Sequence, residues 1–370
     1  MLYSVLFNSL WHRLGLLLLV GVMTGCGRLT PPAASQSEDN PNNPYAQFRQ
    51  AVNDVEPLID PNLESLTASR LQQEAPVVTS SITLLEDTPL AIQGNVTMVS
   101  APTMQAFNEQ MYQRLIQAGY SGLLDINVLR AGSAIQQFCQ DPSVNFLSVN
   151  RAMSEAEIQV CQAKGRQPLG LTIGKDPLLL VVNRDNDFVR GIDLEKLKAV
   201  LTKNTWSEID MSWPNTAIER GMIGPNSSTV ALLTQTLFPA DGTSLLKTAN
   251  TTFYDYPEPM VQTLSTVPNG LAFINQSSYE RFTATFRVIP INGISASLDT
   301  VESNAYPLIQ SLLLYVDQKQ LESGTPTKAV ANFYLTEMTD VMSEVGLLPL
   351  NQAQLDQTKR QWLKATTTSN

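Results

Sequence analysis

Gly224, Pro225, Asn226, Ser227, Ser228 and Thr229 stand directly before an apolar run built on Val230, Leu232, Leu233, Leu237 and Phe238. Small hydroxyl residues ahead of such a run mark a helix N-terminus. Unpaired N–H groups and a partial positive charge at that end can hold an anion. Similar small-polar junctions occur at Ser100 with Thr103 and at Gly132 with Ser133, while Asn150-Arg151 adds a guanidinium. Gathered in one cleft, these hydroxyls, backbone amides and single guanidinium form a donor set for a tetrahedral oxyanion. Scattered, they are ordinary helix caps, and Arg151 pairs with an acid such as Glu155, four residues on.

Other chemistry is excluded by residue type. The one histidine, His12, lies in the apolar leader, so the rest of the chain lacks the base of a Ser-His-Asp or Cys-His site and the usual zinc ligand. Nothing supplies a metal site, so a phosphatase is unsupported. The expectation is a binding protein with no cofactor, no metal and no catalytic residue. A net charge of −10 carries no basic footprint and argues against a nucleic-acid partner.

Arg13 precedes "LGLLLLVGVMTGC", an apolar core of roughly a dozen residues, short for a membrane span but suited to a secretory leader. Met23-Thr24-Gly25-Cys26 resembles the bacterial lipobox. That resemblance implies a signal peptide over 1–25 and lipidation of Cys26, hence an extracytoplasmic (periplasmic) chain held to the membrane by its N-terminal lipid. Residues 28–45 are rich in Pro, Ser and Asn and read as a tether, which with the mixed segment after it extends over 26–88. In an oxidising compartment Cys139 and Cys161 form one disulfide or remain two buried thiols.

Those candidate residues need elements to position them, and these begin near residue 89. "NVTMV" reads as a strand, followed by a helix with Met104, Phe107, Met111 and Leu115 on one face and Gly119 at its end. "LLDINVL" and "NFLSV" are further strands, with a helix at "IQQFC" between them. "DPLLLVVN" is a continuous apolar run, as for a strand covered on both faces. Asp193 caps a helix carrying Leu194, Leu197 and Leu201. Alternating strands and helices predict a largely parallel sheet covered by helices. About 280 residues of this pattern is large for one core, so two lobes are expected. Ligands in such sheets sit where strands end and helices begin, which is where the small-polar junctions fall.

The blocks "QQFCQDPSVNFLSVNRAMSEAEIQVCQAKG", "DPLLLVVNRDN", "LEKLKAVLTKNTWSEI" with Trp206, "VPNGLAFINQSSY" and "AYPLIQSLLLYV" resemble, in order and spacing, the PstS-like phosphate-binding proteins of bacterial ABC transporters. The resemblance runs from about residue 90 to 350. It implies an α/β fold, a type II periplasmic-binding-protein clamshell of two lobes, with mixed, largely parallel sheets flanked by helices. Lobe one would take 89–175 and 272–350, lobe two 176–271, with crossovers near 178–183 and 271–275 and a C-terminal helix or tail over 351–370. The implied function is capture of inorganic phosphate or a similar oxyanion between the lobes by a monomer, and delivery to an ABC transporter permease. A degenerate member, acting as a sensor or scaffold or on another oxyanion, is the alternative.

By the same resemblance, phosphate would be held by Ser100, Thr103, Gly132, Ser133, Asn150, Arg151, Ser227, Ser228 and Thr229. Thr103 occupies the threonine place of the first-lobe helix, and Ala131-Gly132-Ser133-Ala134 the glycine- and serine-rich turn. Arg151 is the Arg of an "SR" element, with Asn150 where serine is common and Asn145 where aspartate is frequent. Ser227-Ser228-Thr229 stands for Ser-Gly-Thr, so the middle glycine has gained a side chain. A buried carboxylate accepts the proton of hydrogen phosphate and repels sulfate; asparagine in its place predicts weaker discrimination between the two.

Overall fold

The computed structural model describes residues 79–84, 93–239, 245–321 and 325–367. The expected signal peptide, the lipidation at Cys26 and most of the tether lie outside them. At the far end of that expected tether the reading needs correction. Leu84 is buried in a core, and Ser80 and Ser81 are hydrogen-bonded to Asp356.

The first lobe starts with β1 (Val96–Ser100), a turn of 3-10 helix over Pro102–Met104 and α1 (Gln105–Gln117). Phe107, Met111 and Leu115, spaced four apart, form the buried stripe of α1. Gly119 follows at φ 95°, a left-handed conformation that glycine adopts without strain. Then come β2 (Leu124–Val128), α2 (Ala131–Gln140), β3 (Phe146–Val149) and α3 (Glu155–Ala163). Ser154 and Glu157 close a capping box at the start of α3. A disulfide ties α2 to α3 through Cys139 and Cys161, with Cα atoms 4.4 Å apart.

β4 (Pro168–Asn183) is the long strand on which both lobes are hung. Its first half alternates, burying Leu169, Leu171 and Ile173; from Ile173 to Asn183 every residue is buried. The change of pattern marks the passage from one sheet to the next. The second lobe holds α4 (Leu194–Val200), β5 (Glu219–Ile223), α5 (Ser228–Leu237), β6 (Thr251–Tyr254), α6 (Pro257–Leu264), β7 (Gly270–Asn275), the one-turn α7 (Gln276–Tyr279), β8 (Phe286–Val288) and α8 (Leu298–Glu302). The chain returns on β9 (Ile309–Asp317) and finishes the first lobe with α9 (Pro326–Glu344) and α10 (Gln352–Thr367).

Strand order is β2-β1-β3-β9-β4-β7-β5-β6, with β8 also paired to β4. The strands joined by crossover helices, β1 with β2 and β3 and β5 with β6 and β7, pair in parallel. β4 and β9 run antiparallel from Pro168↔Asp317 to Pro177↔Ile309. Their bulge at Thr172/Gly174 falls where an added Cβ on Gly174 would sit 2.9 Å from the Met342 sulfur and 3.0 Å from the Leu348 carbonyl.

One face of the first sheet is covered by a core containing Met98, Phe107, Phe146, Leu314, Tyr334 and Trp362; the other packs Val99, Ile135, Phe138 and Leu147. The second lobe has its own core around Leu180, Met222, Leu233, Phe273 and Phe286. Here the expected boundary differs from the structure. The resemblance puts residues 272–308 in lobe one, yet Phe286, Ile289, Ile291, Val301, Tyr306 and Leu308 belong to the second core. β7 does not cross between lobes. It is an interior strand between β4 and β5, and the return passage is the start of β9.

Candidate functional site

A cavity of about 470 Å³ opens where β1, β2, β5 and β6 end and the following helices begin. Val128, Ile223, Thr103, Ser227, Ser228, Thr229 and Asp255 all line it, so both lobes contribute. Parallel strands joined by helices aim their helix N-termini at this edge, which is why polar groups from distant parts of the chain meet there.

The start of α5 explains the sequence around Ser227. Ser227 is the N-cap: its Oγ accepts from the Val230 N–H at 3.2 Å and donates to the Ile223 carbonyl at 3.0 Å. Buried Val230, Leu233 and Leu237 anchor the helix behind it. Ser227 is therefore spent on capping. Thr229, 2% exposed, lines the cavity, and its hydroxyl makes no hydrogen bond among the described residues. The N–H groups of Ser228 and Thr229 lie in the first turn, where no intrahelical acceptor exists.

Asn150, 3% exposed, lines the cleft. Its Nδ2 lies 3.1 Å from Thr103 Oγ1, 2.6 Å from Ser228 Oγ and 3.0 Å from Gln310 Oε1. The Asn150–Ser228 bond joins the two lobes. Asn275 Nδ2 donates to the same Gln310 oxygen at 2.6 Å, while Gln310 Nε2 is buried without a partner. Nearby, on β4, the Asp176 carboxylate accepts from the Ser277 hydroxyl at 2.7 Å and the Ser277 N–H at 3.2 Å. Burial pushes the Asp176 carboxyl up to about 7 against the pull of these hydrogen bonds.

Arg151 is placed differently from the expectation. Its two Nη atoms grip Glu157 at 2.8 and 2.7 Å, and Nη1 also reaches the Ala152 carbonyl. Burial raises the Glu157 carboxyl, but the Arg151 hydrogen bonds and the Ser154 amide outweigh it and hold the group below its usual range. The guanidinium thus has a bidentate partner, Glu157 rather than Glu155. It lines two neighbouring cavities of about 480 and 540 Å³ and not the first one. Gly132 and Ser133 line the last of these beside it. An added Cβ on Gly132 would meet nothing closer than 3.9 Å, so that turn has no steric need for glycine.

Ser100 does not face the cleft. Fully buried, it donates to the Ala101 carbonyl and accepts from Asn108 inside lobe one. Asn145 precedes β3, at the opposite end of that strand from Asn150, where it holds the Thr97 N–H, Gln320 and Thr327. It is a structural residue and not a replacement for a cleft carboxylate. The sequence reading missed Arg130, Asp255, Asn275 and Gln310. Arg130 precedes the expected Ala131-Gly132 turn, lines the first cavity and pairs across the lobes with Asp255. Arg281 and Glu258, 2.7 Å apart, form a second pair at the cavity. Among the described residues no cluster of His, Cys, Asp or Glu is placed to hold a metal ion, and no helix is long and apolar enough to cross a membrane.

A family model for the PBP superfamily domain matches residues 72–338. The phosphate-binding protein PstS of Staphylococcus aureus (strain USA300) is 24% identical over 267 residues, covering 69% of this chain and 76% of its own. A Clostridium perfringens protein, provisionally assigned as a phosphate ABC transporter substrate-binding protein and solved with phosphate, aligns at TM-score 0.58 and 16% identity over 70% of this chain and 100% of its own. An ABC-type phosphate transport receptor of Vibrio cholerae aligns at TM-score 0.57 and 13% identity, covering 68% and 99%. These likenesses match the two-lobed arrangement of strands derived above. The chain belongs to the PBP superfamily, as a divergent relative of PstS with the type II binding-protein fold.

Proposed function

We propose that this protein is an extracytoplasmic solute-binding lipoprotein that takes inorganic phosphate or a related oxyanion between its lobes and delivers it to the permease of an ABC importer. The observation that carries the reading is the start of α5 on the cleft wall. There Thr229, 2% exposed, presents a hydroxyl that makes no hydrogen bond among the described residues, next to helix-terminal N–H groups and opposite Thr103 of the other lobe. Micromolar binding requires about −8 kcal/mol, and hydrogen bonds to a charged group contribute about 1.5–3 kcal/mol each. The Thr229 and Thr103 hydroxyls with the Ser228 and Thr229 N–H groups reach that range without Arg151. The relatives named as phosphate-binding proteins support the choice of ligand.

The test is calorimetric titration of ligand-stripped protein with phosphate and sulfate. Binding of at least one ion is expected, weakened at least tenfold by Thr229→Val. No heat with either ion overturns the reading. A second reading, a family member that kept the clamshell as a sensor or scaffold, is favoured by the Arg151–Glu157 pair, which neutralises the guanidinium expected at the site. Ligand-free protein that is already closed by small-angle scattering, and unchanged by either ion, would favour it.

A further inference from the structure

Asn150 and Ser228 line both the first cavity and the 480 Å³ cavity behind it. Thr103 and Thr229 lie only on the first side, Arg151 and Gln310 only on the second. The 2.6 Å Asn150–Ser228 bond is therefore a partition: it separates the hydroxyl donors from the guanidinium. The amide that makes it occupies the place of a competitor. An ion oxygen that accepts from both the Thr103 and the Ser228 hydroxyl must lie within hydrogen-bond distance of the two oxygens. The Asn150 amide nitrogen already holds that position, 3.1 Å from Thr103 Oγ1 and 2.6 Å from Ser228 Oγ. On the far side, Gln310 Nε2 is a buried donor with nothing to bond, the kind of group an incoming oxygen satisfies.

We propose that the Asn150 carboxamide is a built-in occupant of the oxyanion position and the specificity-determining residue of the cleft. A small inorganic ion binds only by displacing it from Ser228 and Thr103. Shortening it merges the two chambers, so that hydroxyls and the Gln310 amide act on one ion. This inference rests on the oxyanion reading given above.

The experiment is titration of the full chain, stripped of ligand, with inorganic phosphate and with sulfate, for the wild type, Asn150→Ala and Ser228→Gly. Asn150→Ala is expected to bind phosphate at least tenfold more tightly than the wild type. Ser228→Gly is expected to gain less, because Asn150 keeps Thr103 and Gln310 and one hydroxyl donor to the ion is lost. A merely structural role for Asn150 predicts loss of affinity, not gain. Circular dichroism shows whether each variant is folded, and if Asn150→Ala is not, the gain or its absence in Ser228→Gly decides. Should the wild type bind and the variants bind equally or more weakly, the partition is refuted while the oxyanion reading stands. Binding by Asn150→Ala alone upholds the partition and removes phosphate as the natural ligand. No binding by any of them overturns both.

Discussion

Replacing Asp176 with asparagine removes a carboxylate that is 1% exposed on the strand shared by both lobes, while keeping its shape and its acceptor for the Ser277 N–H. Burial raises this carboxyl from its ordinary 3.8 to about 7. Well below pH 3.8 both folded and unfolded chains carry the proton, and the group leaves stability at its full value. As pH rises above 3.8 the unfolded chain ionises first, so the folded state binds more protons and stability falls; above about 7 both are ionised and the slope vanishes. A rise of about three units corresponds to a loss of roughly 4 kcal/mol across that window, at about 1.36 kcal/mol per unit. Asparagine does not titrate and escapes the loss. Urea unfolding of both proteins at pH 4, 5, 6, 7 and 8, followed by tryptophan fluorescence, gives the difference curve. It is expected to grow in favour of Asp176→Asn from pH 4 to 7 and then level off. Parallel curves within about 0.5 kcal/mol would refute the reasoning, because they would mean that the carboxylate is not desolvated by the fold.

Two further predictions concern the scaffold. Arg220 is 1% exposed and donates to the carbonyls of Val200, Lys203, Ile218 and Ala249. Arg220→Ala strands those acceptors and is expected to lower the unfolding free energy by on the order of 3 kcal/mol, read in the same urea assay; a change under 1 kcal/mol would show that water replaces the guanidinium. The Cys139–Cys161 bridge closes a loop with a sequence separation of 22, worth about 3 kcal/mol of chain entropy. Unfolding with and without reductant is expected to show that difference, and it should vanish in Cys139→Ser/Cys161→Ser.

Local order was legible because local physics writes it. The stripe of Phe107, Met111 and Leu115 declares a helix, and the unbroken run in "DPLLLVVN" a strand covered on both faces, whatever lies around them. Asp193 and Ser227 could be recognised as N-caps because a cap is completed within three residues. The alternation of strand and helix, with small polar residues at the junctions, was enough to place a cleft at the carboxyl ends of the strands.

What the tertiary structure alone decided are choices between partners of equal local merit. "GLAFIN" reads the same as a crossing strand or an interior one; its place between β4 and β5 follows only from which edge of the sheet is already taken. Arg151 had Glu155 and Glu157 within reach in sequence, and the capping box that turns Glu157 back toward Ser154 delivers that carboxylate to the guanidinium. The bond between Asn150 and Ser228 joins residues 78 positions apart. No periodicity or cap encodes that distance. It exists because two independently packed cores are held by the same two strands, and their edges meet at one point.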